Sequence, residues 1–140
     1  GLDGQAKMSK SLGNTILVNE DPKELRKKLA GAFTDPSRLR KSDPGDPDIC
    51  NIFTIHKFFS SDEQRAAIDR ECRSAGIGCV QCKKMLAENM DAHFGPIQQR
   101  WSELQADPDQ VWGILERGAA RCREIAGETM EQVRERMGLR

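Results

Sequence analysis

The sequence lacks any long hydrophobic run, any surplus of charge of one sign, and nearly all histidine. No stretch reaches the roughly 18 consecutive apolar residues of a membrane-spanning helix, so we expect no transmembrane segment. The 22 basic residues balance the 22 acidic ones, which argues against a protein that coats nucleic acid with uniformly basic charge. The two histidines, His56 and His93, both fall on apolar faces of predicted helices. We therefore predict that they are packed and hydrogen-bonded rather than catalytic.

Strand patterns are nearly absent as well, so the predicted fold class is all-α. The 140 residues suit one domain, or one domain with a flanking segment. The chain begins with Gly1 rather than Met, and no signal segment follows. We therefore expect a piece of a longer, cytoplasmic protein.

Sequence signals for helix N-termini divide the chain into segments. Asp21 before Pro22 predicts a helix N-terminus, and Ser61 and Asp107 begin similar signals. Between them, residues 34–48 hold three prolines and a glycine, which predicts a connector. The predicted organisation has three parts: a loop segment over 1–20, a helix with its connector over 21–48, and a helical domain over 49–140. The apolar positions of the last helix, together with Trp101 and Trp112, are predicted to be packing positions.

A lysine-containing loop lies between Gly4 and Gly13. We call Lys7-Met8-Ser9-Lys10-Ser11 the lysine loop. Two cations three residues apart, with hydroxyl and backbone N–H donors between them, suit a polyphosphate. The loop is not the phosphate loop of nucleotide hydrolases, because serine replaces that motif's second glycine and no strand can precede it. From composition alone, such a loop is more often simply solvated.

The cysteines form a second pattern. Cys50, Cys72, Cys79 and Cys82 follow a C-x21-C-x6-C-x2-C spacing. In a reducing compartment this spacing favours a metal site over disulfides, and four thiolates suit either an iron–sulfur cluster or zinc. Cys122 falls on the apolar face of the last predicted helix, where we expect it to act as a small buried apolar side chain.

The lysine loop matches the second signature of class I aminoacyl-tRNA synthetases letter for letter, and its surroundings resemble the tryptophanyl-tRNA synthetase family. The resemblance covers essentially the whole chain. The segments that carry it are Gly1–Gln5, Leu12–Ile16, Thr34–Pro36, Asp43–Gly45, Gly118–Arg121 and Met137–Leu139.

The resemblance implies that the chain is the C-terminal portion of a tryptophan–tRNA ligase. Residues 1–20 would be the end of an α/β catalytic domain, and the helical bundle would bind the anticodon of tRNA(Trp). The family activates tryptophan with ATP, with Mg as the expected ion, and then charges the tRNA. Lys7 and Lys10 would be catalytic, and the whole lysine loop, Lys7, Met8, Ser9, Lys10 and Ser11, would contact ATP. Homodimerisation is expected through the part that is missing.

Two further expectations depend on the resemblance. Some family members carry a [4Fe-4S] cluster on a closely similar cysteine pattern, so the resemblance assigns Cys50, Cys72, Cys79 and Cys82 to such a cluster, with zinc as the alternative. Near them, Arg73, Lys83 and Lys84 are candidate tRNA contacts. The first class I signature, of the His-x-Gly-His type, is missing, so this chain alone is predicted to be inactive. The alternative function is a non-catalytic, metal-stapled helical module that binds RNA or protein.

Overall fold

The computed structural model describes residues 1–139, and it contains helices without any strand in that range, which confirms the all-α prediction. In that range there is one 3-10 turn, Lys10–Leu12, which begins inside the lysine loop and ends one residue beyond it. The α-helices are α1 (Pro22–Gly31), α2 (Asn51–Phe59), α3 (Asp62–Arg73), α4 (Cys79–Ala106) and α5 (Pro108–Arg136). None of the helices in the described range is long and apolar enough to cross a membrane.

The predicted helix starts are confirmed. In each, a side-chain oxygen accepts a hydrogen bond from a backbone N–H of the first turn, where no partner exists within the helix. The pairs are Asp21 with Lys23, Ser61 with Gln64, and Asp107 with Gln110. Pro22 and Pro108 occupy first helical positions, where a missing N–H costs nothing.

The chain divides into two compact units, of which the first is Gly1–Gln98 and the second begins at Gln99. The first unit contains a hydrophobic core to which the N-terminal segment, α1, α2 and α4 all contribute. Its buried members are Leu2, Leu25, Leu29, Ala32, Ile52, Leu86, Ala87, Met90 and Phe94. Because Leu2 belongs to this core, the segment that carries the lysine loop is anchored to the helices.

The two histidines differ in their surroundings. His56 is fully buried; its Nδ1 lies 2.6 Å from Ser60 Oγ and its Nε2 lies 3.2 Å from the Cys82 carbonyl oxygen. The prediction of a packed, hydrogen-bonded side chain is confirmed there. It is wrong in part for His93, which is exposed and only meets the rings of Phe59 and Phe94 at their edges.

The second unit buries much less. No described residue of α5 is buried, and Cys122 is exposed. Trp101 and Trp112 are 46% and 64% exposed. The prediction that these are packing positions is therefore wrong for the described chain, because helical periodicity identifies an apolar face without providing a partner for it.

Candidate phosphate loop and cysteine site

The backbone of the lysine loop is fixed by short-range hydrogen bonds. The amide of Leu12 donates to the Ser9 carbonyl over 3.2 Å, and that of Gly13 donates to the Lys10 carbonyl over 3.3 Å. Gly13 ends the turn at a φ of 65°, a left-handed conformation that glycine adopts without strain. The hydroxyls of Ser9 and Ser11 lie 2.8 Å apart. The loop therefore has a defined backbone.

The ammonium groups of the two lysines of the loop have no partner in the described part of the chain. Lys7 and Lys10 are exposed, and within residues 1–139 neither ammonium makes a hydrogen bond or an ion pair. Two unpaired cations on an ordered, hydroxyl-bearing loop can neutralise an oxyanion such as a phosphate. This arrangement is compatible with the chemistry predicted for the loop, and the assignment of ATP as its ligand stays a prediction.

Asn14 is a residue of this site that sequence reasoning missed. Its side chain is buried, and the residue is only 6% exposed. Its Oδ1 accepts from the Ser9 amide over 2.8 Å; its Nδ2 donates to Asp3 Oδ2 over 2.8 Å and to the Lys7 carbonyl over 3.2 Å. The bond from Asn14 lowers the pKa of the Asp3 carboxyl, with help from the amides of Gln5 and Ala6.

The four predicted cysteines come from three helices and the turns before them. Cys50 is the N-cap of α2, Cys72 lies in the last turn of α3, and Cys79 and Cys82 lie in the first turn of α4. All four are half-buried. Cys50 and Cys82 also pack against the hydrophobic core.

The cysteine side chains interact with one another electrostatically. Burial raises the pKa of the Cys82 thiol to about 12, and the neighbouring Cys50, Cys72 and Cys79 add to the shift. Burial likewise raises the pKa of Cys72, with Cys50 and Cys79 contributing. The four thiols therefore share one neighbourhood, in which several thiolates would repel each other unless a positive partner were present.

Within residues 1–139, no group of three or more His, Cys, Asp or Glu side chains is arranged to hold a metal ion. The thiols nevertheless have a cationic neighbour. Arg38 Nη1 lies 3.6 Å from Cys72 Sγ and 4.0 Å from Cys79 Sγ. Its Nη2 donates to the carbonyls of Lys41 and Ile77, and its Nε is buried without a partner in the described part of the chain.

Arg38 was also missed from the sequence, where it stands among several basic residues of the connector. The connector is held by Asp35, which is 5% exposed and accepts hydrogen bonds from the amides of Ser37 and Asp46, each over 2.8 Å. Gly45 is pressed against the site, because a Cβ at this position would lie 2.7 Å from Cys72 Sγ. The connector thus forms one wall of the cysteine site.

The three candidate tRNA contacts have different surroundings. Arg73 forms ion pairs with Asp46, Asp48 and Asp69. The hydrogen bond to Asp48 is the largest of the interactions that raise the pKa of Arg73. Lys83 donates to the carbonyls of Ala30 and Ala32 over 2.7 and 2.9 Å, and burial lowers its pKa. Lys84 is exposed, with only a long ion pair to Glu88. Lys84 is therefore the member of the set that is most accessible to a polyanion.

The sequence profile of the class I tRNA synthetases for tryptophan and tyrosine matches residues 1–95, which is more than half of the chain. The chain therefore belongs to this family of class I synthetases.

Curated proteins to which it is similar are tryptophan–tRNA ligases. It is 50% identical to the tryptophan–tRNA ligase of Deinococcus radiodurans over 138 residues, covering 99% of this chain and 42% of that ligase. The Aquifex aeolicus ligase is 40% identical, with 99% of this chain and 35% of that protein covered. A crystal structure of tryptophanyl-tRNA synthetase from Campylobacter jejuni, complexed with ADP and tryptophan, superposes with a TM-score of 0.84 at 35% identity, covering 96% of this chain and 41% of that chain. The chain thus spans about two-fifths of the length of these relatives.

Proposed function

We propose that the chain is the C-terminal portion of a cytoplasmic tryptophan–tRNA ligase, and that its lysine loop assists the ATP-dependent activation of tryptophan. The observation that carries this proposal is the pair of exposed lysines, Lys7 and Lys10, whose ammonium groups have no partner within residues 1–139, on a hydrogen-bonded backbone. The similar Campylobacter jejuni structure, which holds ADP and tryptophan, supports a nucleotide as the ligand.

In this reaction the tryptophan carboxylate attacks the α-phosphate of ATP, and pyrophosphate leaves. Negative charge develops on the phosphate oxygens as the bond to the leaving group breaks. Lys7 and Lys10 would neutralise that charge, while the Ser9 and Ser11 hydroxyls would donate to phosphate oxygens. Mg would accompany ATP, and the resulting adenylate would then be passed to tRNA(Trp).

The test compares the chain with the complete ligase. We expect the 140-residue chain alone to catalyse no ATP–pyrophosphate exchange with tryptophan, because it lacks the His-x-Gly-His signature. The complete ligase should catalyse this exchange, and tyrosine should not replace tryptophan. A complete protein without tryptophan-dependent exchange would instead favour the metal-stapled binding module, and exchange by the chain alone would refute the predicted inactivity.

We also propose that Cys50, Cys72, Cys79 and Cys82 hold a [4Fe-4S] cluster, with zinc as the alternative. The donor set fits such a group: four thiols share one neighbourhood, and Arg38 places a cation beside Cys72 and Cys79 with one buried N–H still unpaired. In a four-iron cluster each thiolate binds a different iron atom, so the sulfurs need not converge as closely as around a single ion. The cluster would supply a covalent staple between helices rather than chemistry for the reaction.

Anaerobically purified protein distinguishes the two metals. An iron–sulfur cluster gives a brown colour with broad visible absorption, together with equal amounts of iron and acid-labile sulfide. Zinc gives neither the colour nor sulfide. Metal-free protein with all five thiols reactive after anaerobic purification would contradict both assignments.

The helical part is proposed to bind the anticodon of tRNA(Trp). A cleft of about 230 Å³ beside Cys79 supports this, because Val80 and Ala87 give it an apolar surface and Arg26 and Lys84 also line it. Apolar surface suits a base, and the cations suit the phosphates. Replacing Lys84 with alanine in the complete ligase should raise the KM for tRNA while leaving tryptophan-dependent exchange unchanged. An unchanged KM for tRNA would remove Lys84 from the interface.

A further inference from the structure

We propose that Asn14 is a positioning residue for tryptophan activation, which holds the lysine loop so that Lys7 and Lys10 both reach the phosphates. The inference rests on the proposed function of the loop, and it assigns a role to a residue outside the signature. Asn14 touches no ammonium group itself; it acts through the backbone of the loop.

The Asn14 side chain contacts the loop backbone directly before and directly after Met8. The Asn14 amide accepts from the N–H of Ser9 and donates to the carbonyl of Lys7, so a single side chain holds the backbone on both sides of residue 8. The next residue after Ser9 is Lys10, which begins the 3-10 turn. Both lysines are therefore directly attached to backbone that Asn14 holds.

Asn14 in turn is tied to the rigid part of the first unit. Its carbonyl accepts from the amide of Leu2 over 2.9 Å, and the Leu2 carbonyl accepts from the amide of Phe33, just beyond α1, over 2.8 Å. Leu2 is itself 7% exposed and belongs to the hydrophobic core. The side chain of Asn14 therefore joins the exposed loop to the segment that the core immobilises.

The amide of Asn14 is also fully used. Both Nδ2 hydrogens have acceptors, the carboxylate of Asp3 and the carbonyl of Lys7, and Oδ1 has a donor. Asp3 is fixed in turn by the amides of Gln5 and Ala6, over 3.0 and 3.3 Å. Burying an amide without hydrogen-bond partners is unfavourable, so a position that only had to be filled would favour an apolar side chain. Asparagine is specified here by its ability to donate and accept at once.

The ammonium groups of Lys7 and Lys10 have no partner in the described residues, and the only other bond to either lysine there is the one from the Gly13 amide to the Lys10 carbonyl. Their positions therefore depend on the backbone from which they extend. A misplacement of about 1 Å at a reacting centre can lower a rate by roughly 100-fold, so a loop released from Asn14 loses most of the benefit of both cations.

The test is a double-mutant cycle on ATP–pyrophosphate exchange by the complete ligase. N14A should lower kcat by roughly 10- to 100-fold while the affinity for tryptophan stays unchanged. Because the residue acts through the lysines, N14A should have little further effect in a K10A/K7A background. Asn19 lies exposed in the same segment, so N19A makes the same chemical change as a matched control and should leave kcat unchanged.

A second pair of variants controls for misfolding. N14D keeps the acceptor for Ser9 but loses both donors and places a carboxylate against Asp3. Adding D3N should restore part of the activity, since the amide introduced by D3N can then donate to the new carboxylate. Recovery should stay incomplete, because the carbonyl of Lys7 remains without its donor. Rescue of this kind is expected only if the local hydrogen bonds matter.

The outcomes separate the two proposals. If the wild-type complete ligase shows no tryptophan-dependent exchange, the proposed function fails. If wild-type exchange is normal but N14A matches N19A, or if the N14A loss is undiminished without the two lysines, the inference about Asn14 is overturned. An equal loss of tryptophan affinity in N14A, or an N14D/D3N variant no better than N14D, would also overturn it.

Discussion

The lysine loop and the cysteine site lie in the same compact unit, but their charges are handled in opposite ways. The loop is held by hydrogen bonds through the uncharged side chain of Asn14, and within residues 1–139 neither of its ammonium groups has a partner. At the cysteine site, Arg38 is held close to the sulfurs, and the pKa of Cys82 rises to about 12 because the thiols are buried together. The comparison teaches that the loop exposes its cations to a ligand, whereas the cysteine site holds its cation, Arg38, against half-buried sulfurs.

The largest expected effect comes from removing one ligand of the proposed cluster. We expect C82S to abolish the brown colour and the bound iron, because three thiolates cannot complete the set of four. C122S is the matched control, since Cys122 is exposed and lies in the other unit. Absorbance and iron content of anaerobically purified variants measure both. Full iron content in C82S, or loss of iron in C122S, would contradict the assignment.

The next effect concerns the free cations. We expect K10A in the complete ligase to lower the rate of tryptophan activation by roughly 100-fold or more, which is the scale of one preorganised charge donor. Tryptophan affinity should change little, because the loop acts on phosphate. K23A removes another exposed lysine, on α1, and should leave the rate unchanged. A loss in tryptophan affinity as large as the loss in rate would mean that the loop has only a structural role.

A smaller effect tests the contribution of Arg38. We expect R38M to weaken metal retention by roughly 10- to 100-fold, the usual range for partners just outside the ligand set. Competition with a chelator, followed by the visible absorption, measures this loss. R40M is a control in the same connector, because Arg40 is exposed and its side chain contacts neither sulfur. Equal retention in R38M and wild type would show that the site does not depend on the guanidinium.

The smallest effect is a change in the titration of Asp3. The hydrogen bond from Asn14 holds the pKa of Asp3 below its ordinary value of 3.8, and N14A should return it towards that value. Since the folded pKa is the lower one, the contribution of Asp3 to loop stability is present above about pH 4 and is lost as the pH falls through the folded pKa. NMR titration of the Asp3 carboxyl in both proteins measures the shift. An identical Asp3 pKa in N14A and wild type would show that the bond from Asn14 does not lower it.

The sequence predicted what depends on near neighbours along the chain. Helix starts at Asp21, Ser61 and Asp107 follow from residues two or three positions away, so they could be predicted and were found. Arg38 could not be assigned to the cysteines, because the contact joins positions 34 and 41 residues apart. The burial of Asn14 was missed although its partners Ser9, Lys7 and Asp3 lie only 5, 7 and 11 residues away, because no local pattern marks which polar residue of a loop is buried.

The apolar positions of α5 illustrate the other limit of sequence reasoning. Their spacing correctly predicted a long helix, Pro108–Arg136, but it did not predict that none of its residues would be buried. Periodicity reports which face of a helix is apolar. Whether that face is covered depends on another surface, which the helix's own sequence does not specify.

The burial of Leu2 also sets the order in which the first unit can mature. The ribosome makes the lysine loop before it makes α1 to α5, yet the core that receives Leu2 includes Leu86, Met90 and Phe94 from α4. Leu2 therefore has no complete core to enter until about 90 further residues have been synthesised, because the core depends on contacts between residues far apart in the sequence. The part of this unit that is made first therefore completes its packing only after α4 has been made.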